Sequence, residues 1–203
     1  MSFITKVNVD TKEVINEMRN KRAKELLSYS MGADLHEAWR AGRKREDGTY
    51  EPRMKKTKDQ AYIDAHGGNN EVDIANLSFE ELPSDWQYEN LEAAKVAINE
   101  VYDVIIQGKE LTKEMIEKMS SVVHDEWLKR NDWVFSSDYG DPVLSKPYYE
   151  LPKEEQAKDR VQIRQAIEKV MKYKQGEISL EELNTTYGSL IKDSKVSTLD
   201  DNQ

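Results

Sequence analysis

"LHEAWRAGR" (residues 35–43) and "VHDEWLKRN" (residues 123–131) share one pattern: apolar residue, His, acid, any residue, Trp. His36 and Trp39 stand as His124 and Trp127 do, so two of the three histidines occupy one repeated context. Three residues apart on a helix, the two rings fall on the same face. The likeness continues downstream. "FEELPSDWQYEN" (79–90) aligns with "YYELPKEEQAKD" (148–159) at a constant offset of 69, which superposes Glu81, Leu82, Pro83 and Gln87 on Glu150, Leu151, Pro152 and Gln156. The same offset pairs Ala97, Ile98 and Val101 with Ala166, Ile167 and Val170, and upstream "TKEVINEM" (11–18) resembles "TKEMIEKM" (112–119). The chain reads as a tandem pair of related units, too few for a solenoid array.

Each unit predicts a helix carrying His-x-x-Trp, a connection, an extended or turn-like Glu-Leu-Pro segment, and a second helix. Proline disfavours helix in the residue before it, which sets the extended step. Met115, Met119, Val123 and Trp127 form one apolar row in the second unit. Thr11, Thr112, Asn90 and Asp159 are the expected N-caps, and Gly108 and Gly176 the expected closing glycines. Ser179 and Glu182 form a capping-box pattern opening a last helix that covers the end of the second unit. The expected fold is mostly α: two pseudo-symmetric helical repeats with short extended segments, closed by a C-terminal helix. The repeats span 11–107 (with a basic insert at 42–76) and 112–175. The closing helix covers 179–193, and a polar, frayed tail is expected over 194–203.

Composition narrows the function. The chain has 203 residues, 34% of them charged, and a net charge of -9, with a mean hydropathy of -0.84. An acidic chain argues against general DNA or RNA binding through the phosphate backbone. No apolar run approaches the roughly 18 residues of a membrane span, and "MSFITKVNVD" does not read as a secretory signal. Cysteine is absent, which removes disulfide and thiolate chemistry and fits a cytoplasmic setting. No P-loop, Gly-x-Gly-x-x-Gly, Gly-x-Ser-x-Gly or His-Glu-x-x-His motif occurs. We therefore expect a protein that is not an enzyme and has no metal or cofactor.

The strongest functional signal is a local reversal of charge. Between Arg40 and Lys58 stand eight basic residues (Arg40, Arg43, Lys44, Arg45, Arg53, Lys55, Lys56 and Lys58) against three acids, Glu46, Asp47 and Glu51. The connection from His36 to Leu82 is 19 residues longer than that from His124 to Leu151. A connection of such length is usually functional or disordered, and Tyr50, Tyr62 and Ile63 argue for order. Arginine forks grip phosphate, lysine adds charge, and an aromatic ring stacks on a base. Candidate ligand-binding residues are His36, Trp39, Arg43, Tyr50, Arg53 and Lys55 in the first unit. In the second they are His124, Trp127, Arg130, Trp133, Tyr148 and Arg160. For the histidines the competing role is structural, with the imidazole bonded to a backbone carbonyl or a carboxylate. Trp86, Trp133 and Phe135 read as core.

The second unit resembles the ryanodine-receptor repeat domain through His124, Asp125, Trp127, Lys129, Arg130, Pro147, Tyr148, Leu151, Asp159 and Arg160. The first keeps His36, Glu37, Trp39, Arg43, Leu82 and Asn90, but has Ser78-Phe79 for Pro-Tyr and Asn90-Leu91 for Asp-Arg. The resemblance implies paired modules that sit outside the pore in the large calcium-release channels. In bacterial and phage proteins it implies recognition of nucleotide-derived ligands in defence and counter-defence. It supplies no catalytic residues.

Together these readings predict non-catalytic binding of a small anionic, nucleotide-derived ligand. The sharpest form is sequestration or sensing of a cyclic-nucleotide-type immune signal in the cytoplasm, the host's if the chain is phage-encoded. A protein-interaction or assembly module without a small ligand, able to form a homo-oligomer, is the alternative. A hydrolase acting on the same nucleotides is a third.

Overall fold

The structure is a computed structural model that describes residues 10–197, with side chains through Ile191. Helix α1 (Thr11–Ala41) leads into a two-stranded antiparallel ribbon, β1 (Met54–Lys56) and β2 (Glu71–Asp73), which encloses the short helix α2 (Gln60–Ala65). Helix α3 (Ser84–Ile106) completes the first unit. The second consists of α4 (Lys113–Arg130) and α5 (Lys153–Lys174), and α6 (Leu180–Ser197) follows. The fold is thus mostly helical and ends in a C-terminal helix, as the sequence predicts. That helix packs mainly along α1, where Arg22 donates to Asn184 and Tyr29 meets Tyr187, and so covers the first helix of the first unit rather than the end of the second.

One core serves both units. Leu26, Leu27 and Met31 of α1, Ala97, Ile98 and Val101 of α3, Met119 and Val123 of α4, and Ile163, Ala166 and Val170 of α5 form a single buried cluster. Leu183 of α6 closes it. Small residues let the helices approach closely: Ala94, Ala97 and Ala166 are fully buried, and a Cβ on Gly32 would sit 3.0 Å from the Leu91 side chain. A second cluster, with Val72, Ile74, Phe79 and Leu82, anchors the insert to the first unit.

Several boundaries differ from the expectation. Asn90 and Asp159 are not N-caps. Both second helices begin directly after Pro83 and Pro152, whose backbones are extended (ψ 151° and 150°). Proline is pre-set for a helix entry, and it starts each helix before the polar residue is reached. Asn90 instead returns its side chain to the Trp86 carbonyl at 3.0 Å. Thr112 does cap α4, but Asp10, not Thr11, caps α1. Helix α1 is also 31 residues long against 18 for α4. Its first turns are an extension, so "TKEVINEM" and "TKEMIEKM" are not structural equivalents. The closing helix continues to Ser197, and the tail expected to fray lies, beyond that point, outside the described residues.

Candidate functional site

In each unit the histidine ties its helix to the bend that precedes a 3-10 turn, Phe79–Glu81 in the first and Tyr148–Glu150 in the second. His36 Nε2 donates to the Leu77 carbonyl at 2.9 Å, and His124 Nε2 to that of Lys146 at 2.8 Å. A carbonyl only accepts, so Nε2 carries the proton and a neutral ring presents Nδ1 as an acceptor. Leu77 and Lys146 stand at the same offset of 69 that the sequence repeat shows. Each imidazole stacks on its tryptophan, with centroids 5.8 Å apart for His36–Trp39 and 5.9 Å for His124–Trp127. Both histidines are buried, and burial holds the pKa of His36 below its ordinary value against the opposing pull of the Leu77 bond. The third histidine, His66, bonds the Tyr62 carbonyl and stacks on that ring.

Around this shared clamp the units diverge. In the first, buried Arg40 donates to the Ala75 carbonyl at 2.9 Å and to both oxygens of Glu37, and its guanidinium lies 4.4 Å from the centre of the Tyr50 ring. Glu37 in turn accepts the Phe79 amide. In the second unit, the hydroxyl of buried Tyr148 donates to Glu117 at 2.7 Å, and Arg160 joins the same carboxylate and hydroxyl. Arg130 reaches across to Glu89 of α3. Tyr148, Arg160 and Arg130 are thus engaged within the protein. Trp133 and Phe135, read as core, are exposed. They stand in the 3-10 turn Asp132–Phe135, and Trp133 meets Trp127 only edge-on.

The insert is ordered by specific contacts. Asp85 accepts from the Thr57 hydroxyl and the Lys58 amide, and Asp59 caps α2 while accepting the Ser84 amide. Arg43 belongs to this framework: it donates to the carbonyls of Glu51 and Pro52 and lies over the Trp39 ring at 5.4 Å. The remaining cations are different. Lys44, Arg45, Arg53, Lys55, Lys56 and Lys58 form no ion pair among the described residues. Lys55 sits over the Trp86 ring, and desolvation together with the charge of Arg53 lowers its pKa. Trp39, with Arg43 over its ring, remains 39% exposed, and Tyr50 is half-buried.

Two concavities lie elsewhere. One, of about 220 Å³, opens beside the clamp of the second unit and is lined by His124, Trp127, Leu151, Glu155, Asp159 and Gln162. From the sequence, Asp159 takes a capping role and a place in the repeat-domain resemblance, and none of Asp159, Glu155 and Gln162 takes a ligand role. The repeat itself holds the signal for all three, because they align with Asn90, Trp86 and Ala93. The other is a groove of about 1330 Å³ along α1 and α3, with Tyr29, Tyr88 and Leu91 in its walls. Its charges alternate in sign and partly neutralise one another, as Lys24–Asp103 and Lys95–Glu92 do. None of the candidate residues lines it. Among the described residues no cluster of three or more His, Asp and Glu is placed to hold a metal ion, and no helix is long and apolar enough to cross a membrane.

Compared with known proteins, the chain matches no family model, no curated protein and no solved structure.

Proposed function

We propose that the chain binds a small anionic, nucleotide-derived ligand, without chemistry, on the basic face of the first unit. The observation that carries this reading is an insert docked by specific contacts whose Lys44, Arg45, Arg53, Lys55, Lys56 and Lys58 form no ion pair among the described residues, with Arg53 and Lys55 close enough to repel and with half-buried Tyr50 on the same insert. Unneutralised like charges, such as Arg53 beside Lys55, raise the energy of the free protein, and a phosphate relieves that repulsion. An adjoining aromatic plane favours a ligand that also carries a base. Arg53 and Lys55 are the primary contacts. Arg43 and Arg40 are positioning residues that hold the loop and Tyr50. Sequestration of a cyclic-nucleotide-type immune signal in the cytoplasm is the specific form of this proposal and rests on the repeat-domain resemblance.

A thermal-shift screen against linear and cyclic mono- and dinucleotides and ADP-ribose tests it. A ligand at about 100 times its Kd adds roughly 2.7 kcal/mol of stability. The Arg53→Glu/Lys55→Glu double variant should lose the shift while staying folded.

A protein-interaction module is the second reading, favoured by a different observation. Trp133, Phe135 and Tyr139 are 42%, 60% and 71% exposed in the short connection of the second unit. That reading predicts concentration-dependent assembly, removed by Phe135→Ser, and no nucleotide shift.

A further inference from the structure

The cavity of the second unit differs chemically from the basic face. Its polar lining is dominated by acceptors. Asp159 is 8% exposed and makes no hydrogen bond among the described residues, and His124 Nδ1 stands 3.6 Å from its Oδ2. That nitrogen is an acceptor in the neutral ring, because Nε2 is committed to Lys146. The side-chain oxygen of Gln162 is buried without a hydrogen-bond partner. Trp127 supplies an aromatic wall, Leu144 and Leu151 apolar ones, and Glu155 a second carboxylate that Lys158 holds at 2.7 Å. Buried carboxylates are ordinarily paired, and buried acceptors ordinarily satisfied. Here the Gln162 amide oxygen is unsatisfied, and the Asp159 carboxylate lining the same space has no partner nearer than His124 Nδ1 at 3.6 Å.

The first unit shows what the alternative looks like. There Trp86 takes the place of Glu155 and packs with Phe79 and Leu82, while Asn90 replaces Asp159 and bonds within its own helix. At these two positions the first copy carries an indole and an amide, and the second carries two carboxylates.

We propose that the second-unit cavity binds a guanidinium group, stacked on Trp127, forked onto the Asp159 carboxylate and donating a further N–H to Gln162. A planar guanidinium meets each requirement at once. It makes bidentate bonds to a carboxylate, stacks on an aromatic face, and is weakly enough hydrated to be buried. The volume is ample, since a cavity of about 150 Å³ already holds benzene. An anionic phosphate does not fit, facing Asp159 and Glu155, so this site is separate from the basic insert. The source is a small guanidinium metabolite or an arginine side chain of a partner, and the chemistry is common to both.

Burial and Glu155 push the Asp159 carboxyl up to about 7. A bound cation favours the ionised form, so affinity rises with pH through that value and binding releases a proton. The other titratable groups facing the cavity are Glu155 and Lys158 on α5 and His124 on α4.

Calorimetric titration with agmatine at pH 6 and pH 8 tests the proposal on the whole chain. Saturable binding is expected, several-fold tighter at pH 8. Asp159→Asn, which installs the residue the first unit carries, should weaken it about tenfold or more and remove the pH dependence. Glu155→Trp, which installs the bulkier residue the first unit carries at this position in the cavity wall, should abolish it. A short arginine-containing peptide that binds more tightly than agmatine would mark a protein partner as the source, and the reverse order a metabolite. Either order supports the guanidinium site. Absence of saturable agmatine binding to the wild type, equal affinity in Asp159→Asn, or adenosine binding in place of agmatine would overturn it.

Discussion

His124 donates from Nε2 to the carbonyl of Lys146 at 2.8 Å, across 22 residues of connection. This bond recurs between His36 and Leu77. It explains why His-x-x-Trp is duplicated: the helix holds the bend before the 3-10 turn through a backbone carbonyl, which any residue type supplies. Removing the imidazole leaves a partly buried carbonyl unpaired and a ring-sized void. His36→Ala and His124→Ala should each cost about 2–3 kcal/mol in urea unfolding. A loss confined to one of the two would contradict their equivalence.

His36 and Asp159, both buried, give opposite pH trends. Burial lowers the pKa of His36, so the folded state prefers the neutral ring. Its contribution is full above the ordinary value of 6.5 and is lost as pH falls below it toward the folded value. Asp159 is raised to about 7, so the folded state prefers the protonated acid. Its contribution is full below the ordinary carboxylate value and is lost as pH rises to about 7. Asp159→Asn should therefore gain stability relative to wild type between pH 5 and pH 8, by about 2 kcal/mol. Chemical denaturation at the two pH values checks this, and a constant difference would remove the assignment.

Gly108 and Gly176 follow α3 and α5 with φ of +71° and +79°. This left-handed conformation is strained for a residue with a Cβ. Gly108→Ala and Gly176→Ala should each lower stability by about 1 kcal/mol, visible as a Tm decrease of a few degrees. Gly42, with φ of -67°, should tolerate alanine.

What was legible in the sequence follows the periodic and covalent signals. The repeat, the mostly helical fold, the closing glycines and the Ser179–Glu182 box all rest on spacing and backbone chemistry. The box is realised in reciprocal bonds between the two residues. Helix starts were less legible. A proline entry leaves no side-chain cap, so Asn90 and Asp159 attracted the capping role by residue type alone. The site was least legible because identical residue types diverge in partners. Arg43, Arg130 and Arg160 read alike as phosphate ligands, yet each is held by a carbonyl or carboxylate that is remote in sequence or hidden by folding. Trp133 and Phe135 read as core because aromatic residues usually are; only the path of the connection places them outside.

The insert separates structural from exposed arginine. Arg43→Glu removes the bonds to Glu51 and Pro52 and should loosen the loop, seen as faster amide exchange over residues 43–53. Arg53→Glu leaves those bonds intact and should change exchange little. Equal effects of the two would show that Arg53 also holds the loop, and would disqualify it as a free ligand contact.

The most direct test of the central claim is ligand-induced stabilisation across a nucleotide panel, in wild type and in Arg53→Glu/Lys55→Glu. A shift of several degrees with one nucleotide class, lost in the double variant, is the predicted result. No shift with any nucleotide, or an undiminished shift in the double variant, would contradict it.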